Sequence, residues 1–343
     1  MHKLNDIQNS HVFLRADMDV PLDKRKVEDD YRIKRCIETL VELISNGNKV
    51  AIFTKLGRPE KQDPDLSTKN ILPTLRELLK KDILFIKNIY ELELMHKTKE
   101  QIFLFENTRF FDWEENVDTK TSHKIATYFD YYVDEAFAMS HREETTNFII
   151  PQKIGDIALG KNYVEEIDTL FKIRKGDFER PAYFILGGAK AETKIPMVSK
   201  LVSTFDKFLI GGKLVVESKK EFSNFKEKVV FGNLEKHGFD ITDSATQDFI
   251  NYIEKAKTVV WNGPTGMFEL KEYKKSTEEI VKALEKTKAL TIAGGGDTIS
   301  AINKFGDIEK FSFVSTGGGA MFSYLAGNKT NIEKVEEIIT NPK

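Results

Sequence analysis

The chain is poor in the features that mark several large classes of protein. One cysteine, Cys36, in 343 residues leaves no internal disulfide to form, and its place in an apolar helical pattern reads as a buried structural thiol rather than a nucleophile. No apolar run approaches the roughly 18 residues that span a bilayer, and the N-terminus MHKLNDIQNS lacks the apolar stretch of a signal peptide, so a soluble cytoplasmic chain is expected. Neither sign of charge prevails, with 52 Lys and Arg against 54 Asp and Glu. A balanced field gives no reason to expect a nucleic-acid or membrane partner, and any anion site must be local. The P-loop pattern G-x-x-x-x-G-K-[ST] is absent, since neither GGAKAETK nor GNKT fits it, and so is the dinucleotide fingerprint GxGxxG.

The length exceeds what one ordinary core fills and suits two. Short runs rich in Val, Ile, Phe and Tyr alternate with longer amphipathic stretches, the pattern of βαβ units and parallel sheets. In the first half the predicted strands are residues 12–16, 50–54, 83–86, 102–105 and 131–133, with helices at 31–44 and 71–79. In the second half they are 182–186, 208–210, 258–261, 290–293 and 311–315. Apolar residues at helical spacing over 163–174 predict a helix linking the halves. The expected fold class is α/β, with two Rossmann-like lobes, each a parallel sheet flanked by helices, joined by a hinge helix. The expected boundaries are 1–161 for the first lobe, 162–176 for the hinge helix and 177–329 for the second lobe, with the amphipathic 330–343 returning to the first.

In an open parallel sheet ligands bind beyond the carboxyl ends of the strands. The exits in the second half read Gly187-Gly188-Ala189-Lys190, Gly211-Gly212-Lys213, Asn262-Gly263-Pro264, Gly294-Gly295-Gly296-Asp297-Thr298 and Thr316-Gly317-Gly318-Gly319. Glycine lets a backbone come within hydrogen-bonding distance of a ligand, and a helix starting just beyond it offers free N–H groups to an anion. One glycine pair is an ordinary tight turn; the set reads as a polyphosphate cradle. Asp297 is placed to hold Mg²⁺ on phosphate oxygens, its plain alternative being a helix N-cap. Lys190 and Lys194, four apart, share a helix face and can oppose charge on a transferring phosphoryl group.

The strand exits of the first half carry Arg15, Asp17, Asp19, Arg58, Arg109 and the pair His141-Arg142, and Arg32 opens a helix. A lone exposed arginine is usually solvated surface. Several guanidinium groups converging from neighbouring strand ends suit a small phosphorylated or carboxylated substrate, which each can hold bidentately.

These motifs resemble one family over nearly the whole chain, the phosphoglycerate kinases. Residues 15–22, RADMDVPL, are similar to that family's RVDFNVPL; 29–33, DDYRI, to DDTRI; 56–59, LGRP, to the end of SHLGRP; and 106–110, ENTRF, to ENxRF. Residues 134–137 followed by His141-Arg142 resemble NDAFGTAHR, and LGGAK, WNGPTGMFE, GGGDT and STGGGA follow in family order. The resemblance implies reversible phosphoryl transfer between ATP and the carboxylate of 3-phosphoglycerate, with Mg²⁺ and ATP/ADP, in a monomer that closes about its hinge. It places the acid against Asp17, Asp19, Lys55, Arg58, Arg109 and Arg142, with Arg32 at the reacting carboxyl. It places nucleotide against Gly188, Ala189, Lys194, Gly211, Gly212, Gly238, Phe239, Asn262, Glu269 (ribose), Gly294, Gly295, Gly296, Asp297 and Thr298. Arg32, Lys190 and Lys194 are the catalytic set, Gly317, Gly318 and Gly319 the phosphoryl-transfer loop, and Asp297 the metal ligand.

The sequence also departs from the family. Asp19 stands for an asparagine, Lys55 for a histidine and Thr193 for an aspartate, and Glu143 and Glu144 follow Arg142 where the family has a small residue and a histidine. Asp19 and Lys55 are expected to pair, and the two glutamates to add negative charge beside the basic site. A stretch between Gly212 and Asp240 is shortened where the family walls in the adenine; only 222–231 offers replacement strand, and weak discrimination between adenine and guanine is expected. Two further readings stay open: a kinase acting on another small carboxylic acid, and a catalytically silent nucleotide-binding paralogue.

Overall fold

The computed structural model describes residues 1–340 apart from Val117, Ala189, Lys190 and Lys220, and divides into two compact units, Met1–Ile167 with Lys329–Lys343, and Asp168–Asn328. The first unit carries strands β1 (His11–Ala16), β2 (Lys49–Phe53), β3 (Leu84–Ile86), β4 (Ile102–Phe105), β5 (Tyr131–Glu135) and β6 (Ile157–Leu159). They form one parallel sheet in the order β3-β4-β2-β1-β5-β6. The pleat sends alternate residues to opposite faces, and the two faces differ in chemistry. On one, Val12, Leu14, Val50, Ile52, Ile102 and Leu104 pack beneath Ile33, Cys36, Leu40 and Leu43 of the helix Tyr31–Ser45. Those helix positions recur every three or four residues, which is why the segment is helical and faces the sheet.

The other face is aromatic. Phe13 stacks on Phe53 at 4.0 Å between ring centroids, Phe53 on Phe105 at 4.6 Å, and Tyr132 on Phe13 at 5.4 Å. Burying each of these rings contributes about 2–3 kcal/mol. Arg15 and Asp134 share this face, paired in register. Arg15 is fully buried, its Nε donating to Thr146 Oγ1 at 2.9 Å and its Nη1 to Ala16 O at 2.8 Å. The expectation that Arg15 joins an anion site at the strand exits is therefore wrong. Strand alternation points it into the core, one residue before the strand ends at Ala16.

The second unit holds β7 (Ala182–Leu186), β8 (Lys207–Ile210), β9 (Val229–Phe231), β10 (Thr258–Asn262), β11 (Leu290–Gly294) and β12 (Phe313–Ser315). All are parallel, in the order β9-β8-β7-β10-β11-β12. The order reverses direction between β7 and β10, so the crevice beyond their carboxyl ends is this sheet's topological switch point. The helix Lys161–Lys175 covers the predicted 163–174 and runs across the boundary between the units. The helix Asn331–Thr340 belongs to the first unit, where Asn331 Nδ2 donates to Asn147 O at 2.6 Å and Ile332 and Val335 are buried.

One strand of the two large sheets, β6, lies outside every segment marked as a strand, and β9 occupies only the end of the candidate 222–231 in the shortened stretch. There Glu221–Phe225 is a 3-10 turn and only Val229–Phe231 extends. A hairpin of two-residue strands, Leu22–Asp23 with Lys26–Val27, is shorter still. Phe311 was predicted to open the last strand but follows the 3-10 turn Ile308–Lys310, which Asp307 caps.

The aromatic face of the first unit ends in a buried charge. Glu114 is fully buried, accepting from Thr146 Oγ1 at 2.5 Å and Thr146 N at 3.1 Å. Burial raises its pKa to about 7 against the pull of Arg15, with Glu144 adding to the rise. A carboxyl whose folded pKa lies above its unfolded value loses stability as pH rises through the folded value. Glu114→Gln is therefore expected to gain on the wild type by up to about 3 kcal/mol between pH 5 and 8. Urea unfolding at both pH values checks this, and a difference independent of pH would contradict it.

Candidate active site

In the first unit β4, β2, β1 and β5 are neighbours, so their exits form one continuous edge. Side chains of those exits tie the loops together. Met18 N donates to Thr54 Oγ1 at 3.0 Å. Buried Asn107 accepts from Leu56 N at 3.2 Å and donates to Leu56 O and Leu66 O, each at 2.8 Å. Glu106 accepts from Ser67 Oγ and Thr68 N. Asn107 and Glu106 hold the loop that carries Arg109, yet residue type alone flagged neither, because a scaffold hydrogen bond leaves no charge pattern to read.

On this edge the structure gathers most of the predicted residues. Arg32 Nη1 lies 3.2 Å from Asp17 Oδ1, with Asp17 2% exposed and its Oδ2 buried without a hydrogen-bond partner. Burial would lower the Arg32 pKa, but Asp17 and Asp19 outweigh it and raise the value. The expected pair is present: Lys55 Nζ sits 3.1 Å from Asp19 Oδ2, while Asp19 Oδ1 accepts from Gly57 N at 2.8 Å. Burial would raise the Asp19 pKa, yet Lys55, the Gly57 N–H and Arg32 together leave it below the ordinary carboxylate value. Burial lowers the Lys55 pKa in spite of Asp19 and Asp17. Arg109 donates through Nη1 to Gly57 O, and its buried Nε has no partner. Arg58 is exposed.

The glutamates after Arg142 part company. Glu143 pairs with Lys334 at 2.7 Å, so its charge is neutralised on the helix Asn331–Thr340 instead of loading the basic site as expected. Glu144 lies 3.6 Å from Arg142 Nη1. His141, read as half of a basic pair, carries no charge near neutrality. Its surface is open, but enough protein surrounds the ring that desolvation, with Arg142 and Lys55, pushes its pKa down to about 4 against the pull of Glu144.

In the second unit the glycine exits close on one another. Gly187 N donates to Asn262 O at 3.1 Å and Gly188 N to Pro264 O at 2.8 Å, so the loops after β7 and β10 meet backbone to backbone. A Cβ on Gly187 would stand 2.0 Å from Pro264 O, and one on Gly318 2.6 Å from Gly295 Cα. Only glycine permits either approach. Asn262 Nδ2 donates to Gly294 O at 2.8 Å, and Gly263 N to Thr298 Oγ1 at 2.9 Å. The result is a glycine-rich backbone floor shared by Gly187, Gly188, Gly211, Gly212, Asn262, Gly294 and Gly295, where Gly212 N-terminal to its helix takes a φ of +62°.

Lys194 Nζ reaches this floor, donating to Gly187 O at 2.7 Å and Asn262 O at 3.3 Å. Ala189 and Lys190 lie outside the described residues. Gly295, at φ +108°, is the N-cap of the helix Gly296–Phe305, so Asp297 stands exposed in the first turn and is not the cap itself. Gly317 caps the helix Gly318–Leu325, which opens with Gly318 and Gly319. Gly238 turns the chain at φ +76°, Phe239 is 38% exposed with its ring 5.1 Å from that of Tyr273, and Phe239 O accepts from Met267 N at 2.8 Å. Glu269 is exposed two residues beyond Met267.

Among the described residues no group of three or more His, Cys, Asp or Glu side chains is arranged to hold a metal. Mg²⁺ commonly uses one or two carboxylates, with phosphate oxygens and water supplying the rest, and the exposed Asp297 beside the glycine floor fits that donor set. No helix among the described residues is long and apolar enough to cross a membrane.

Comparison with known proteins agrees with this architecture. The phosphoglycerate kinase family model matches residues 1–226 and 213–328, its two segments overlapping in the shortened stretch before Asp240. The phosphoglycerate kinase of Finegoldia magna is 33% identical over 94% of this chain and 95% of its own length, and that of Thermosipho africanus 33% identical over 94% of each. The crystal structure of phosphoglycerate kinase from Pyrococcus horikoshii superposes with a TM-score of 0.86, at 26% identity and 99% coverage of both chains. On the strength of the family match, the identity to these relatives and the paired parallel sheets, the chain belongs to the phosphoglycerate kinase family.

Proposed function

We propose that the chain is a glycolytic phosphotransferase catalysing 1,3-bisphosphoglycerate + ADP ⇌ 3-phosphoglycerate + ATP, in the cytoplasm and as a monomer. The observation that carries this reading is the division of chemistry between the sheets: a cationic edge in the first unit, a glycine-rich backbone floor in the second, on a chain of this family. Guanidinium groups suit the phosphate and carboxylate of a small acid, and bare backbone suits a polyphosphate.

In this reading Arg58, Arg109 and Arg142 hold the phosphate of the acid, Asp17 and Asp19 contact its polar body beside Lys55, and Arg32 orients the reacting carboxylate. The partnerless Nε of Arg109 supports the assignment, because a buried donor without an acceptor is costly until a ligand supplies one. Lys194 and the N-termini beginning at Gly296 and Gly318 face the nucleotide phosphates, Glu269 the ribose, and Gly238 with Phe239 the base. Mg²⁺, held by Asp297 and the phosphates, would neutralise charge on the nucleotide. A carboxylate oxygen forms a bond to the γ-phosphorus while the bond to the bridging oxygen breaks, leaving ADP. No covalent enzyme intermediate is needed, and the protein supplies positioning and opposing charge. The approach of the two ligands is assigned to motion about the helix Lys161–Lys175.

Two internal ion pairs favour a second reading, in which the acceptor is another small carboxylic acid. Asp19 with Lys55, and Glu144 with Arg142, place carboxylates where an anionic ligand is expected. A coupled assay of ATP consumption with Mg²⁺ decides between acids. Turnover dependent on 3-phosphoglycerate, reduced at least 100-fold by Arg32→Ala, is expected; folded, nucleotide-binding protein that fails with 3-phosphoglycerate and turns over another acid would transfer the proposal to that acid.

Base selectivity is expected to be slight. The helix Leu214–Ser218 and the turn Glu221–Phe225 are short, and Phe239, Met267 and Leu270 offer exposed apolar surface, which grips either purine by its faces. ATP and GTP are expected to compete within about ten-fold of each other, a difference of no more than about 1.4 kcal/mol. Selectivity of a thousand-fold in a competition titration would refute this.

A further inference from the structure

We propose that Glu144 is a specificity-determining residue: an internal carboxylate that occupies Arg142 in the empty acid site and penalises ligands according to their negative charge. The inference rests on reading the first unit as the acid site. Glu144 is 8% exposed, and its Oε1 lies 3.6 Å from Arg142 Nη1. Its other oxygen is buried and has no hydrogen-bond partner. The backbone beneath it is held, since Glu144 N donates to Asn147 Oδ1 at 2.9 Å. Behind it stands a second buried carboxyl, Glu114, which feels its charge. Glu144 is thus a poorly solvated carboxylate that leans on Arg142 for compensation.

An anionic ligand that takes Arg142 removes that compensation and sets its own charge beside Glu144. Leaving a desolvated carboxylate unpaired is costly, and repulsion from the ligand scales with ligand charge. A dianion is therefore disfavoured more than a monoanion. The neighbouring Glu143 provides the contrast, because its charge is spent on Lys334 and its side chain is half exposed.

The test measures anion affinity directly and leaves turnover aside, so that it can fail separately from the kinase reading. Binding of inorganic phosphate is followed by calorimetry at pH 8, where the probe is mostly dianionic, for wild type, Glu144→Gln and Glu143→Gln. Both variants remove one negative charge. Glu144→Gln is expected to tighten phosphate about five-fold, as a partly exposed pair worth about 1 kcal/mol would allow, with a smaller gain for monoanionic acetate; Glu143→Gln is expected to change neither. Glu144→Ala gives the same direction if relief of competition is the cause, and guards against an effect peculiar to glutamine. Weaker phosphate binding in both Glu144 variants would show that the carboxylate orients Arg142 productively and would overturn the proposal. So would equal tightening by Glu143→Gln, which would assign the effect to net charge, or unmeasurable binding by wild type and both Glu144 variants alike.

Discussion

Two backbones at hydrogen-bonding distance set the terms for the second unit. Gly188 N meets Pro264 O at 2.8 Å, joining the exit of β7 to that of β10 where the sheet changes direction. Any Cβ on Gly187 would collide with that carbonyl. The floor this creates carries peptide groups and almost no side chains, and two helices begin from it at Gly296 and Gly318. Lys194 can reach over it only because nothing larger than glycine stands in the way, its Nζ already resting on Gly187 O and Asn262 O.

The first unit solves a different problem with the same architecture. Its exits carry Lys55, Arg58, Arg109 and Arg142, with Arg32 at a helix start, and like charges such as Lys55 and Arg109 repel one another without internal partners. Asp17 and Asp19 supply them, buried against Arg32 and Lys55. The arrangement leaves donors unspent: Arg109 Nε is buried with no acceptor, and Arg58 is exposed. Neutralised cations fix the geometry while unpaired donors remain for a ligand. The same alternation that sends Phe13 and Phe53 to the aromatic face takes Arg15 out of this set and commits it to the core with Thr146.

Much of this was legible in the residues. Near-continuous apolar runs such as VFLRA and YFILG show strands because both faces of a parallel sheet are buried, and the glycines that directly follow several of them show where the backbone must be bare. β6, three residues at the edge of its sheet, lies outside every predicted strand, and β9 fills only the last three residues of the candidate 222–231. Phe311 falls before the last strand, at the C-cap of the 3-10 turn Ile308–Lys310, where its N donates to Ile308 O.

By itself the sequence determined the α/β class, the family and the roll of cationic and glycine-bearing strand exits, because each of these is written in local periodicity or in contiguous motifs. Apart from the pair of Asp19 with Lys55, which their two substitutions already suggest, the tertiary structure decided which charges meet. Glu143 and Glu144 are adjacent and identical in type, yet one turns to Lys334, which lies far along the chain, and the other to Arg142. His141 reads as a cation and is neutral because protein and two positive side chains surround it. Ion pairing and desolvation depend on distances of a few ångströms between residues remote in sequence, and no local pattern encodes those distances.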